Sequence, residues 1–126
     1  MKTVLQAIVD LTIALHAARD SRLATRADKL EAQLKEVTDL LPSGSGFDSG
    51  TSVESVSEKK VVFSTAFHHM NEHGGYCGWS DHKVTATAIF GGFDLTVYGP
   101  NKRGIKEYIG DVFHTALSAE APERVW

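Results

Sequence analysis

Hydrophobic residues in the first forty-one positions recur at helical spacing. Leu5, Ile8, Leu11, Ile13 and Leu15 set the period, while Val4, Ala7 and Val9 make the same stretch apolar on more than one side. That pattern predicts a helix buried inside the domain or in a subunit contact. Leu30, Leu34, Val37 and Leu41 then step by 4, 3 and 4 and line up one stripe, with Lys29, Glu31, Lys35 and Glu36 off it. Between the two runs, in ARDSRLATRAD, Asp20, Ser21 or Thr25 is placed to cap a second helix, and Thr25 and Asp28 stand at capping-box spacing. An unbroken helix of about forty residues would run roughly 60 Å, far beyond the radius of so small a domain. A helical hairpin is therefore expected over residues 1–41, unless one long helix serves a second subunit.

After Pro42 the period changes. LPSGSGFDSGTS reads as a Ser/Gly-rich loop, placed over 42–57, with a short strand possible near Thr51 to Val56. Val61, Phe63, Thr65 and Phe67 alternate with Val62, Ser64, Ala66 and His68, and Val84, Ala86, Ala88 and Phe90 alternate with Lys83, Thr85, Thr87 and Ile89. Gly91-Gly92 marks a tight turn before a third alternating run at Phe93, Leu95 and Val97, giving an antiparallel sheet within 58–98. Ile105, Ile109, Val112, Phe113, Ala116 and Leu117 form the apolar face of a last helix over 101–118, with Asn101 as its cap. APERVW is expected to be a loose tail unless Trp126 docks. The prediction is one α+β domain over 1–126: an N-terminal helical hairpin and a C-terminal helix packed on an antiparallel sheet of three to four strands.

Composition narrows the class. A chain of 126 residues holds one core, and 42% hydrophobic with 23% charged residues is ordinary for a soluble globular protein. The net charge of −3 argues against a surface for duplex nucleic acid but permits a local basic pocket. A single cysteine excludes an internal disulfide framework and suits a reducing compartment. The first apolar run is broken at Gln6, Asp10 and Thr12, so neither a signal peptide nor a membrane span is expected, and the prediction is a cytoplasmic protein.

The chemistry concentrates in FHHMNEHGGYCGWSDH, residues 67–82, which holds four of the six histidines, the only cysteine and one of the two tryptophans. It reads as a recognition loop between two strands. Tyr76 and Trp79 offer flat faces for stacking on a base, a contact worth roughly 1–3 kcal/mol in nucleic-acid sites, and His68, His69, Asn71 and His82 offer directional hydrogen bonds. The plainer alternatives are that one of His68 and His69 faces the core, and that Trp79 plugs it. Zinc ligation by His68, His69, His73, His82 and Cys77 finds no established spacing, so no metal and no cofactor are assigned. A second site lies where Lys102, Arg103 and Lys106 crowd the start of the last helix, against the preference of its dipole, an arrangement that a bound phosphate would relieve. Arg19, Arg22 and Arg26 step by 3 and 4 and form a third basic group, while Ser43 to Ser52 lacks the lysine and spacing of a P-loop. No nucleophile elbow or Rossmann fingerprint is present, so no catalytic residue is assigned and a binding protein is favoured over an enzyme.

The runs LPSGSGFDSGT, VFSTAFHHMNEHGGYCGWSDHKV and GGFDLTVYGPNKRGIKEYIGDVF resemble a group of small phage-encoded proteins of similar length, over roughly residues 19 to 117. The layout of helices and sheet also resembles the phage sponges that sequester nucleotide immune signals, such as the anti-Thoeris proteins. That resemblance implies an oligomer that holds a cyclic ADP-ribose isomer or a cyclic oligonucleotide without cleaving it, by stacking on adenine and by arginine or N–H contacts to pyrophosphate. The expected partner is thus a phosphorylated nucleotide-type molecule. No binding residue is carried over from the resemblance; on local chemistry alone, the residues expected to hold it are Arg19, Arg22, His68, His69, Asn71, Tyr76, Trp79, His82, Asn101, Lys102 and Arg103. The alternatives are a protein–protein antagonist of a host factor, with the first helix as its interface, and a small metal-dependent nucleotide hydrolase.

Overall fold

The computed structural model describes residues 2–44, 46–47 and 50–122. Helix α1 spans Val4–Asp20 and α2 spans Ala24–Thr38. Thr3 and Gln6 close a reciprocal capping box at the start of α1, a signal that T-x-x-Q carries openly in the sequence. The hairpin turns through Arg22, in the left-handed region at φ 57. Because the chain re-enters helix straight after that turn, Leu23 becomes the N-cap of α2 and makes no side-chain cap bond. The expected caps Asp20, Ser21 and Thr25 are not used, and Thr25 lies inside the first turn.

Four antiparallel strands follow in sequential order: β1 Thr51–Val56, β2 Lys60–Met70, β3 Tyr76–Ile89 and β4 Gly92–Tyr98. The short strand anticipated near Thr51 to Val56 is β1, so the Ser/Gly-rich loop placed over 42–57 ends before it. The two-residue β3–β4 connection is Phe90–Gly91, one residue earlier than expected, since Ile89 pairs with Gly92. A short 3₁₀ turn, Lys102–Gly104, precedes α3, Ile105–Ser118, so the α-helix itself begins three residues later than Lys102.

One sheet face is covered by helix and the other is open. Val61, Phe63, Val84 and Ala86 point inward and meet Val4, Ile8, Ile109, Phe113 and Leu117 in one core. Phe63 and Phe113 lie 5.6 Å apart, centroid to centroid, each at zero exposure, and burying such a side chain stabilises by about 1.5–3 kcal/mol. Helix α1 packs against α2, α3 and β1, and α3 crosses β4. The apolar breadth of α1 is thus explained inside the domain: Val4, Ala7 and Ile8 are fully buried. Beyond the start of β1, Gly46 of the Ser/Gly loop takes over the edge of β2, its carbonyl accepting from His68 N at 2.8 Å. Ser45, Asp48 and Ser49 of that loop, and Trp126 of the tail, lie outside the described residues. Among the described residues no helix is long and apolar enough to cross a membrane.

Candidate functional site

The histidine-rich segment is mostly strand, which corrects its reading as one long loop. Only residues 71–75 form the connection, closed by Asn71, whose Oδ1 accepts from His73 N at 2.9 Å and Gly75 N at 2.7 Å. Polar and aromatic side chains disguised the two-residue period that β2 and β3 keep here. The period divides the predicted site. His68 pairs with Trp79 and both face the open side of the sheet, whereas Thr65 pairs with His82 and Phe67 with Ser80 on the helix-covered side. A bulge opposite His69, with Gly78 at φ 96, absorbs the extra residue between the His68–Trp79 and Met70–Tyr76 pairs.

On the open face, the Tyr76 hydroxyl lies 3.2 Å from Nδ1 of His68, with the two rings 5.7 Å apart. Trp79 is 58% exposed and Tyr76 57%, so neither serves as a core plug. Both rings are accessible from solvent on this face.

On the covered face runs a buried polar row. His69 Nε2 lies 2.8 Å from Ser80 Oγ, Ser80 Oγ 2.6 Å from His82 Nε2, and His82 Nδ1 3.1 Å from the Tyr98 carbonyl. The proton positions follow from chemistry. A carbonyl only accepts, so His82 carries its hydrogen on Nδ1 and, while neutral, accepts at Nε2 from Ser80. Ser80, with its one hydrogen committed, accepts from Nε2–H of His69. Nδ1 of His69 is left as a lone pair. His69 is only 9% exposed, yet no solvent-sealed side-chain nitrogen or oxygen among the described residues lacks a partner. Nδ1 bonds no described atom, so it opens to solvent. Burial, first of all, pushes both imidazoles below the ordinary histidine range. For His69 the charges of Lys102, His82, Arg103 and His68 act the same way. For His82 the Tyr98 carbonyl and Asp81 oppose the shift and Lys106 reinforces it.

The cationic turn meets this strand end. β4 leaves the sheet at Tyr98, and Gly99 passes so close to β3 that a Cβ there would sit 2.6 Å from the Asp81 carbonyl and 2.7 Å from His82 Nδ1. Asn101 then reaches over the 3₁₀ turn, its Oδ1 accepting from Lys106 N at 2.9 Å. Arg103, in the left-handed region at φ 55, donates through Nη1 to the Met70 carbonyl at 3.1 Å. Thus Asn101, Lys102, Arg103, His69 and His82 are brought together on one side of the β3 end, and His68, Tyr76 and Trp79 on the other. Arg19 and Arg22 are not part of this group among the described contacts: Arg19 pairs with Glu31 at 3.4 Å and Arg22 bonds the Arg19 carbonyl within the helical turn.

Ser80 and Lys106 belong to the constellation although neither was among the predicted ligand-binding residues. The signal for Ser80 was its place two residues before His82, on the same strand face; Lys106 stood out in sequence as part of the basic helix start. Ser80 is too buried, at 4% exposure, to act as a nucleophile on an outside substrate. Among the described residues no three His, Cys, Asp or Glu side chains converge as metal ligands would. A groove of about 1150 Å³ lies elsewhere, between Leu5 and Val9 of α1, the Phe90 hairpin and His114. It is lined by few groups that would recognise an anion, and Lys2 at its rim is paired with Asp10 at 2.7 Å. No family model, curated protein or solved structure matches the chain.

Proposed function

We propose that the protein captures a phosphorylated, nucleotide-type small molecule at the open end of β3 and holds it without cleaving it. The observation that carries this reading is the Arg103–Met70 bond, which ties a turn bearing Lys102 and Arg103, with Lys106 following it on α3, to the strand ends bearing His69 and His82. One guanidinium donor is committed there, and charge-assisted bonds from Arg and Lys suit phosphate oxygens. Trp79 and Tyr76 stand on the opposite face of the same strand end, where β3 has no β4 partner. A ligand that joins a base to a phosphate can straddle that edge, its base against Trp79 and its phosphate against Lys102 and Arg103. The phage-protein resemblance gives the reading its context: a counter-defence sponge in the host cytoplasm, assembled as an oligomer.

Incubating the purified protein with ADP-ribose, cyclic ADP-ribose isomers and cyclic oligonucleotides tests this, followed by heat release and chromatography. The expected result is one class depleted from solution and recovered intact. Unbound nucleotide throughout removes the reading, and chemically altered nucleotide replaces it with a hydrolase.

A second reading has its own observation. Phe90, fully exposed at the tip of the β3–β4 hairpin beside Ile89 at 49% exposure, is an anchor of the kind that fills a partner's pocket. A host protein retained by the wild type and lost on Phe90→Ser would favour a protein antagonist.

A further inference from the structure

The buried row admits one arrangement of its protons with both imidazoles neutral and a different one with the charge on His82. With both imidazoles neutral, the hydrogen bonds run from His69 through Ser80 to His82 and on to the Tyr98 carbonyl. Protonated His82 has hydrogens on both ring nitrogens. Its Nε2–H must then donate to Ser80, whose hydroxyl must donate to His69 Nε2. His69, still neutral, must carry its hydrogen on Nδ1. Every heavy-atom contact persists while two of the three bonds reverse.

We propose that this row is a proton relay coupling anion binding to proton uptake: a proton taken at Nδ1 of His69 is stored on His82, and Nδ1 changes from an acceptor into a donor for the anion. The inference rests on the reading that the Lys102–Arg103 cleft holds phosphate. The step balances. An N–H bond forms at His69 Nδ1, and the proton on His69 Nε2 passes to Ser80 Oγ. The former hydroxyl proton of Ser80 passes to His82 Nε2. One proton enters, His69 and Ser80 stay neutral, and His82 becomes imidazolium.

The surrounding charges say where the positive charge rests. His69 faces Lys102 and Arg103 of the 3₁₀ turn, His68 on its own strand and His82 across the sheet, all of which oppose a cation there. His82 faces the Tyr98 carbonyl of β4 and Asp81 of β3, which favour a cation, and Lys106 of α3, which does not. An anion seated between Lys102 and Arg103 offsets their charge and accepts the new Nδ1–H. Without the anion His69 presents a lone pair, which repels an anionic oxygen.

Sulfate is the probe, titrated into the histidine-labelled protein between about pH 5.5 and pH 8, the range in which histidine changes charge. The expected sulfate dissociation constant falls as pH falls, by up to about tenfold per pH unit, the slope of one proton taken up. Nitrogen shifts should show His69 passing from the Nε2–H to the Nδ1–H tautomer while His82 becomes imidazolium. Absent or pH-independent sulfate binding overturns the proposal, as does an imidazolium on His69 beside a neutral His82. Ser80→Ala keeps both imidazoles but removes the carrier, and should abolish the pH slope; a retained slope overturns the relay. Should that variant not fold, the wild-type tautomers decide. ADP-ribose binding is measured alongside: sulfate coupling without ADP-ribose binding defeats the functional reading alone, and the converse defeats the relay alone.

Discussion

Gly99 shows how one residue fixes the site. It sits at φ 116, where side chains other than hydrogen are strained, and its missing Cβ lets β4 peel away directly over the Asp81 carbonyl and the His82 ring. Neither neighbour is the loose end of a flexible chain: one is backbone and the other is held by two hydrogen bonds. Gly99→Ala should lower the free energy of unfolding by at least about 2 kcal/mol, from strain and clash together, measured by urea denaturation. A change under about 0.5 kcal/mol would show that the close approach is not present in solution. Trp79 behaves in the opposite way. Its exposure places it among surface residues, so Trp79→Ala should leave stability within about 0.5 kcal/mol of wild type while weakening nucleotide capture at least fivefold in the same preparation, if one stacking contact of about 1 kcal/mol is lost.

At the scale of elements, the fold was largely legible. Stripes at 3.6 spacing marked α1, α2 and α3, and alternation marked β2, the later half of β3, and β4. What escaped was the stretch in which His, Trp, Ser and Asp alternate, because the period of a strand is visible only when one face is apolar. In residues 76–82 the inward positions are Ser80 and His82, polar groups satisfied by each other rather than by hydrophobic contact. The site was legible as residue types, and the alternative that one of His68 and His69 faces the core holds for His69, but reading the segment as one loop hid that a strand sends such neighbours to opposite faces. Asn101 was expected to cap the last helix, but α3 takes Gly104 as its N-cap, and the Asn101 side chain instead reaches across the 3₁₀ turn to Lys106 N. That bond holds the cationic turn to α3. Asn101→Ala should therefore cost about 1 kcal/mol of stability and weaken anion binding as the turn loosens; full stability in thermal denaturation would mean that solvent replaces the bond.

For the whole molecule, the buried histidines make stability depend on pH with a definite sign. Both native imidazoles titrate below the ordinary histidine range, so the unfolded chain takes up protons first as pH falls. Stability is therefore fullest above that range and declines as pH drops through about 6.5 towards the native values, by up to about 1.4 kcal/mol per pH unit for each proton withheld. Thermal unfolding between about pH 7.5 and pH 5 should show this loss. His82→Gln, which keeps a polar side chain but cannot charge, should make the profile shallower, and an equally steep profile in that variant would assign the loss to other groups.

The central claim is that the strand end bearing His69, His82 and Trp79 and the turn bearing Lys102 and Arg103 form one binding site. Titrating uniformly labelled protein with ADP-ribose and following backbone amide shifts tests it most directly. The account predicts saturable shifts at residues 68–70, 76–82 and 99–106, with the Leu5, Phe90 and His114 groove unaffected. Shifts centred on that groove, or on the strand ends or the turn alone, would contradict it.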